Sequence, residues 1–433
     1  MKRIVLTSVL LLVFSTLTPF AFAKRVYTLN EAINQALSRS YLIKSVEENI
    51  KAAVAKEKSA TSSMLPKVGF TYNYVRMKDV PYAKAFGFKF NMGDKNSVKW
   101  DITITQPVFT GFALSSMREI AKLGVSLSKV YKREAVLSLA ENVKMAYFNI
   151  LLAKKYLKTA KEAVKQLKAH VRDAENFYKE GMIPLNDLLK SKVALASAVQ
   201  QEVKAKNNLK VALSALNVAL NNSVDKSIDV VDVDSFKPFK EPLEKLYQIA
   251  VSKSPLLKQV EIQLKQMGYA VKLAKSEYYP HVGVFAQYQR SGYNMLATNN
   301  PVSNDHNSMF GLQITWTLFD SFKTKHNVEE QKHKKFALFN RYLQLKKQVK
   351  LQVKQAYMDL KTAQTNIATA LMGLRQAKEN YRITNLRYKQ GMTTSTEVLD
   401  ARTYLTQAEL NYYHAIYGYY MALAKLKKAL GEY

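Results

Sequence analysis

The sequence predicts a mainly α-helical chain with a smaller β contribution, built from two copies of one unit: a strand hairpin joined to long coiled-coil helices. Three observations predict it. The chain repeats itself: Tyr178-Lys179-Glu180-Gly181-Met182 returns 210 residues later as Tyr388-Lys389-Gln390-Gly391-Met392, and Val143-Lys144-Met145-Ala146-Tyr147 as Val353-Lys354-Gln355-Ala356-Tyr357. Upstream the offset is 214, with Leu65-Pro66-Lys67-Val68-Gly69 answering to Tyr279-Pro280-His281-Val282-Gly283, so a loop between the anchors absorbs four residues. The repeated unit, about 200 residues, is far longer than a solenoid period. Within each unit, apolar residues step by three and four over long stretches, the mark of coiled-coil packing. Elsewhere the period changes to two, the mark of strands.

The N-terminus comes first. Lys2 and Arg3 precede a mostly apolar run, Ile4 to Phe20, and Ala21-Phe22-Ala23 is a small-x-small cleavage site. Residues 1–23 are therefore expected to be a signal peptide, with a mature start at Lys24. No later run has 18 consecutive apolar residues, so no transmembrane helix is expected after it. The absence of cysteine excludes disulfides, thiolate chemistry and a lipidated N-terminal cysteine.

Residues 24–222 form the first expected repeat. Its opening helix starts at Thr28, with Glu31 completing a capping box, and runs to about Met64 before Pro66. Strands follow at about 66–76 and 98–109. Val68, Phe70, Tyr72 and Tyr74 alternate with Gly69, Thr71 and Asn73; Trp100, Ile102 and Ile104 alternate with Asp101, Thr103 and Thr105. The segment between them, Met77 to Ser97, reads as a loop. A long helix over about 111–180, capped by Thr110, carries the heptads Leu139, Val143, Ala146, Ile150, Ala153 and Leu157 and ends at Gly181. A turn and a second helix complete the unit. Residues 223–241 read as a solvated acidic linker, since Asp229, Asp232 and Asp234 lack the Gly and Glu of a calcium loop. Residues 242–433 repeat the order, with strands at about 280–290 and 309–319 and a long helix over about 321–390, capped by Asp320.

Ten-residue strands that are apolar and aromatic on one face and polar on the other carry the weak signature of an outer-membrane barrel. Four strands cannot close a barrel, and open edges are not tolerated in lipid, so the chain must share its barrel with further copies of itself. Each long helix, about 70 residues, spans roughly 105 Å and forms a shaft beside the membrane hairpins. The formal charge is +31, or +29 without Lys2 and Arg3. The lysines are spread along helices, and export removes the chain from nucleic acid, so nucleic acid is not an expected partner. Anionic lipid or cell-wall polymer remains open. No phosphate loop, metal-protease motif or nucleophile elbow is present, and the histidines are scattered, so no catalytic residue, metal or cofactor is expected.

The doubled turn segments Tyr178 to Leu188 and Tyr388 to Asp400, the opening Leu29-x-Glu31-Ala32-Ile33-x-x-Ala36-Leu37, and the strand entries at Pro66 and Pro280 together resemble the TolC-like outer-membrane efflux proteins. The resemblance covers essentially the whole mature chain. It implies a homotrimer with a 12-stranded barrel in outer-membrane lipid and a 12-helix barrel in the periplasm. Such a trimer is a passive exit duct for efflux or type I secretion, served by a periplasmic adaptor and an inner-membrane transporter. It further implies a gate at the periplasmic tip, with Glu397 and Asp400 as pore carboxylates, Asp187 and Tyr388 in closing contacts, and Thr393 where a basic residue is frequent. The turns themselves, Gly181, Met182, Pro184, Gly391, Met392, Thr394 and Ser395, are the expected adaptor contact. A structural or adhesive coiled-coil envelope protein without a channel is the alternative.

Overall fold

The structure, a computed structural model, describes residues 25–233, 236–300 and 303–433. The expected signal peptide and Asp234 of the linker lie outside them. The short strand β1 (Arg25–Tyr27) leads into α1 (Leu29–Arg39) and α2 (Tyr41–Ser62). Then come β2 (Lys67–Arg76), β3 (Tyr82–Ala85), β4 (Phe88–Asn91), β5 (Asn96–Thr110), α3 (Ala113–Lys179) and α4 (Leu185–Ala219). After β6 (Ile228–Val230) the second repeat supplies α5 (Leu243–Lys253), α6 (Pro255–Lys275), β7 (His281–Gly292), β8 (His306–Thr315), α7 (Lys323–Lys389) and α8 (Ser395–Ala429).

Four details differ from the sequence reading. The opening helix of each repeat is two helices, broken at Ser40 and Ser254. Both serines are extended and cap the second helix through their hydroxyls, and Pro255 occupies its first turn, where it is tolerated. The loop after β2 is not loop throughout; it carries the β3–β4 hairpin. The long helices begin after Phe112 and Phe322, both in left-handed conformation (φ 70° and 66°), rather than at Thr110 and Asp320. Those two side chains still cap, accepting from the backbone N–H of Leu114 and Thr324. Finally, the linker is not a solvated connector. Its Ile228–Val230 pairs in parallel with Arg25–Tyr27, and Ile228 and Val230 are buried. Asp229 and Asp232 form ion pairs with Lys154 and Lys155 on α3, so the acidic segment is strapped to the basic middle of the shaft.

The main sheet has the order β2-β5-β7-β8, antiparallel throughout. Register places Val68, Phe70 and Tyr72 beside Ile104, Ile102 and Trp100, then Ala286, Tyr288 and Arg290, then Phe310, Ser308 and His306. One face is thus mainly apolar, with Ser308, Arg290 and His306 toward its outer end, while the other carries Thr71, Thr103, Gln287 and Asn307. Aromatic rings gather at both ends of the apolar face. Trp100 meets Phe70 and Tyr288 at tilted angles at one end, and Phe109, Phe112 and Tyr279 meet edge-on at the other. Nine residues separate Trp100 from Phe109, about 30 Å along a strand or roughly 23 Å of height at barrel tilt, which matches the apolar band of a membrane barrel.

The helices follow the same lateral order as the strands. Near the sheet, α3 packs between α2 and α6, and α7 packs on the other side of α6. Below, α3 packs against α4 and α8, and α8 against α7. Two cores sit midway along the shaft, one for each repeat. The first joins α1, α3, β1, β6 and the end of α4; the second joins α5, α7 and α8. In the first, the buried Tyr147 hydroxyl lies 3.0 Å from the Tyr27 carbonyl and 2.6 Å from that of Val231, tying the strap to the longest helix.

The candidate gate at the helix tips

The two tip turns are built alike. After α3, Met182 N–H donates to Phe177 and Gly181 N–H to Tyr178; after α7, Met392 donates to Arg387 and Gly391 to Tyr388, at 2.8–3.0 Å. These are paired Schellman closures, and both glycines have φ +72°, a conformation that penalises any side chain. Pro184 and Thr394 then cap the descending helices, Thr394 by accepting from Glu397 N–H at 3.4 Å. The turns lie side by side: the Met182 terminal methyl is 4.0 Å from the space beside Gly391. Met182 and Met392 are exposed.

Glu397 and Asp400 are exposed on the first turns of α8, three residues apart and so on one side of the helix. The Thr393 hydroxyl donates to the Glu397 carboxylate, so this carboxylate is held by an uncharged donor. Asp187, half-buried on α4, pairs with Lys190 at 3.4 Å and not with a residue of α8.

Tyr388 and Ser395 sit elsewhere than the surface. Tyr388 is 2% exposed, its ring 4.7 Å from His170 and 5.4 Å from Phe177 on α3. Its hydroxyl faces Ser395 without a hydrogen bond of normal geometry, and burial pushes its pKa up. Ser395, expected among the adaptor-facing turn residues, is 1% exposed and turned inward. Its hydroxyl is 2.8 Å from His170 Nε2 and 2.9 Å from the Ser191 hydroxyl, which itself donates to the Asp187 carbonyl at 2.9 Å. Each hydroxyl has one proton, and that of Ser191 is committed to Asp187. Ser395 therefore donates to Ser191, and His170 Nε2–H donates to Ser395. His170 Nδ1 is left as a bare acceptor, buried and without a partner.

Higher on the same seam, Arg402 is 2% exposed and donates to Gln166 Oε1 at 2.8 Å, with its guanidinium over the Tyr381 ring and 3.6 Å from Glu409. Burial raises the Glu409 pKa against the pull of Arg402. Sequence reasoning gave no site role to His170, one of the scattered histidines, and did not name Ser191, Gln166, Arg402 or Glu409. A signal was nevertheless present where the repeats disagree: Leu185 and Val199 of α4 stand opposite Ser395 and Glu409 of α8. The polar member of each pair lies on the seam buried within one chain; the apolar member is on the chain's open flank. Among the described residues, no group of three or more His, Asp or Glu side chains is placed to hold a metal.

An amphipathic four-stranded sheet carried on a long helical shaft, which ends in paired turns beside exposed carboxylates, is the build of a membrane-seated protein with a long extension. The family described as outer membrane efflux protein matches residues 32–222 and again 246–432, one match to each repeat. The outer membrane protein TolC of Escherichia coli (strain K12) is 21% identical over 436 residues, covering 97% of this chain and 85% of TolC. The Campylobacter jejuni CmeC outer membrane channel superposes with a TM-score of 0.81 at 21% identity, covering 93% of this chain and 85% of CmeC. VceC from Vibrio cholerae superposes at 0.80 with 15% identity, covering 93% and 96%. The chain belongs to the outer membrane efflux protein family. It is an outer-membrane exit channel for efflux with a long periplasmic extension, and not an enzyme; the channel-free coiled-coil alternative is not favoured.

Proposed function

We propose that three copies of the chain close into one conduit, with a 12-stranded barrel in the membrane and a 12-helix barrel in the periplasm, gated at the paired tip turns. One observation carries this reading. The junction between repeats inside the chain is made by β5 with β7 and by α3 with α6 and α8. By the duplication, β8 and α7 are the counterparts of β5 and α3, while β2, α2 and α4 are the counterparts of β7, α6 and α8. All five lie on the two flanks of the chain, so the same junction made between copies pairs β8 with β2, and α7 with α2 and α4, of the next. The flanks have the character of buried surface: Phe336, Phe339, Leu343 and Leu351 on α7, and Val193, Val203 and Val211 on α4, are exposed. The chain's accessible surface is 28294 Å², against about 17,000 Å² expected for a compact monomer of its mass. A head-to-tail junction that closes makes a ring, and closure removes both sheet edges from lipid. Six near-equivalent repeats, as in the TolC-like fold, make three chains.

In that ring Glu397 and Asp400 come from every second turn, which places six carboxylates at the narrow mouth. Like charges so confined attract cations. The exposed faces of the turns, including Gly181, Met182, Pro184, Gly391, Met392 and Thr394, are the contact for a periplasmic adaptor. An inner-membrane transporter supplies energy and selects cargo, in drug efflux or type I secretion, and the duct itself is passive. The two structural repeats at 24–222 and 242–433 are the building units, joined through 223–241.

Planar-bilayer recording tests the reading. Purified protein is expected to run as a heat-stable trimer and to give single-channel conductance that multivalent cations block from the periplasmic side. Replacing Glu397 and Asp400 together by alanine is expected to weaken that block by an order of magnitude or more, about 1.4 kcal/mol. Unchanged block would remove the carboxylate ring, and a monomer without conductance would remove the conduit.

A further inference from the structure

The outer end of the sheet carries surface that neither the conduit nor its gate uses. The β3–β4 hairpin pairs Tyr82 with Asn91, Ala83 with Phe90, Lys84 with Lys89 and Ala85 with Phe88. Side chains alternate across a strand, so Ala83, Ala85, Phe88 and Phe90 share one face, while Tyr82, Lys84, Lys89 and Asn91 share the other. Lys89 sits 4.9 Å over the Tyr82 ring on the polar face. On the apolar side Phe88 is 70% exposed, and Phe86 at the tip is 97% exposed. The hairpin thus has two chemically opposite faces, and its apolar one is bare.

A neighbouring loop lies on the apolar face of the main sheet. Tyr72 and Trp100, both on the apolar face of the main sheet, donate to the backbone carbonyls of Met295 and Leu296 at 2.9 and 3.3 Å. These bonds fold the loop after β7 down onto the outside of the sheet, at the outer aromatic ring of the membrane band, and leave Met295 and Leu296 bare beside it. The base of the β3–β4 hairpin rests on this loop, because the space beside Gly93 is filled by Tyr293, its hydroxyl 3.2 Å and its ring 3.7 Å away. The two loops therefore meet at the outer rim of the sheet, and Met295 and Leu296 continue its apolar face past the ends of the strands.

We propose that the two outer loops form a collar seated in the outer leaflet, with Phe88, Phe90, Met295 and Leu296 among the acyl chains and Lys84 and Lys89 on the anionic phosphate headgroups. Long basic side chains beside buried aromatics suit this depth, where the stem lies in hydrocarbon and the ammonium reaches the phosphates. The collar would fix the height of the barrel in the membrane against the leverage of a shaft about 100 Å long. It rests on the outer-membrane seating and not on the gate, so the two can fail separately.

The chain has no cysteine, so a single thiol can be introduced without background. Phe88→Cys and Lys89→Cys, each spin-labelled in the full-length protein, are reconstituted in phosphatidylethanolamine vesicles containing phosphatidylglycerol, and in phosphatidylcholine vesicles. At position 88, collisions with oxygen are expected to exceed those with a water-soluble nickel complex several-fold; at position 89 the preference is reversed. Position 88 is expected to lie deeper in the anionic vesicles. Free access of nickel to both positions would overturn the proposal in favour of a solvated loop. Exclusion of both reagents from position 88 would overturn it in favour of a contact with another copy across the pore mouth. Equal depth in the two lipids would overturn the assignment to anionic headgroups.

Discussion

Lowering the pH should loosen the tip through one side chain, His170. It bridges the two helical hairpins, since its ring is on α3, its hydrogen-bond partner Ser395 is on α8, and Tyr388 of α7 lies against it. The hydroxyl chain through Ser395 and Ser191 to the Asp187 carbonyl makes Nε2 the donor, so the neutral ring already satisfies the chain. Protonation adds an N–H at Nδ1, where no acceptor is available. Burial accordingly lowers the His170 pKa from its usual value, opposed by Asp173 on the same helix, which itself pairs at 3.9 Å with Lys389 of α7. The sign follows. With a folded pKa below the unfolded one, the stabilisation is complete above the unfolded value of about 6.5 and is lost as the pH falls through the folded value. Each pKa unit of depression corresponds to about 1.4 kcal/mol, a tenfold change in the opening equilibrium of the seam. Hydrogen exchange of backbone amides in residues 166–174 and 395–402, followed from pH 7.5 to 5 after correction for intrinsic rates, reads that equilibrium. Protection should fall in wild type. His170→Gln, which offers an amide N–H to Ser395 and does not titrate, should keep protection flat across the range. Wild-type protection that does not change, or an unchanged pH response in His170→Gln, would refute the argument. Ser395→Ala gives the scale: it strands the His170 N–H and the Ser191 oxygen, and should cost about 1–3 kcal/mol at any pH.

Two further outcomes follow from buried groups. Arg402→Met leaves Glu409 without its counter-charge in a buried site and should destabilise the protein by about 3–5 kcal/mol, whereas the double replacement with Glu409→Leu should recover most of that loss; denaturant unfolding of the three proteins measures the difference. Tyr147→Phe removes the hydroxyl that reaches both the Tyr27 and Val231 carbonyls and should cost about 1–3 kcal/mol, seen as earlier loss of protection over residues 25–27 and 228–231. Burial pushes the Tyr147 pKa up to about 12, so the stability this residue contributes should be complete below pH of about 10 and fall only as the pH rises toward its folded value.

Much of the architecture was legible because it is periodic. Val68, Phe70 and Tyr72 announce a strand with one apolar face, and the three-four spacing from Val143 through Leu157 announces a coiled coil, whatever packs against them. The turns were legible through glycine, since Gly181 and Gly391 occupy a backbone conformation other residues avoid. What the reading missed has equally physical causes. The break at Ser254 was signalled by Pro255 but masked by the helical pattern on both sides. The β3–β4 hairpin was hidden in a segment rich in glycine, asparagine and lysine. The linker looked solvated because its aspartates are conspicuous and Ile228 and Val230 between them are not.

The sequence by itself determined the duplication, the element types and the location of the tip, because these depend on residues near one another along the chain. Only the tertiary structure decided which surfaces meet. The pairing of β5 with β7 joins Ile102 to Tyr288, and the seam of α3 with α8 joins His170 to Ser395 and Gln166 to Arg402. These partners are more than 180 residues apart and share no period. A lone histidine or arginine on a helix carries no mark of the helix it will face. Its burial, and therefore its protonation and its energetic weight, is set by the neighbour that covers it.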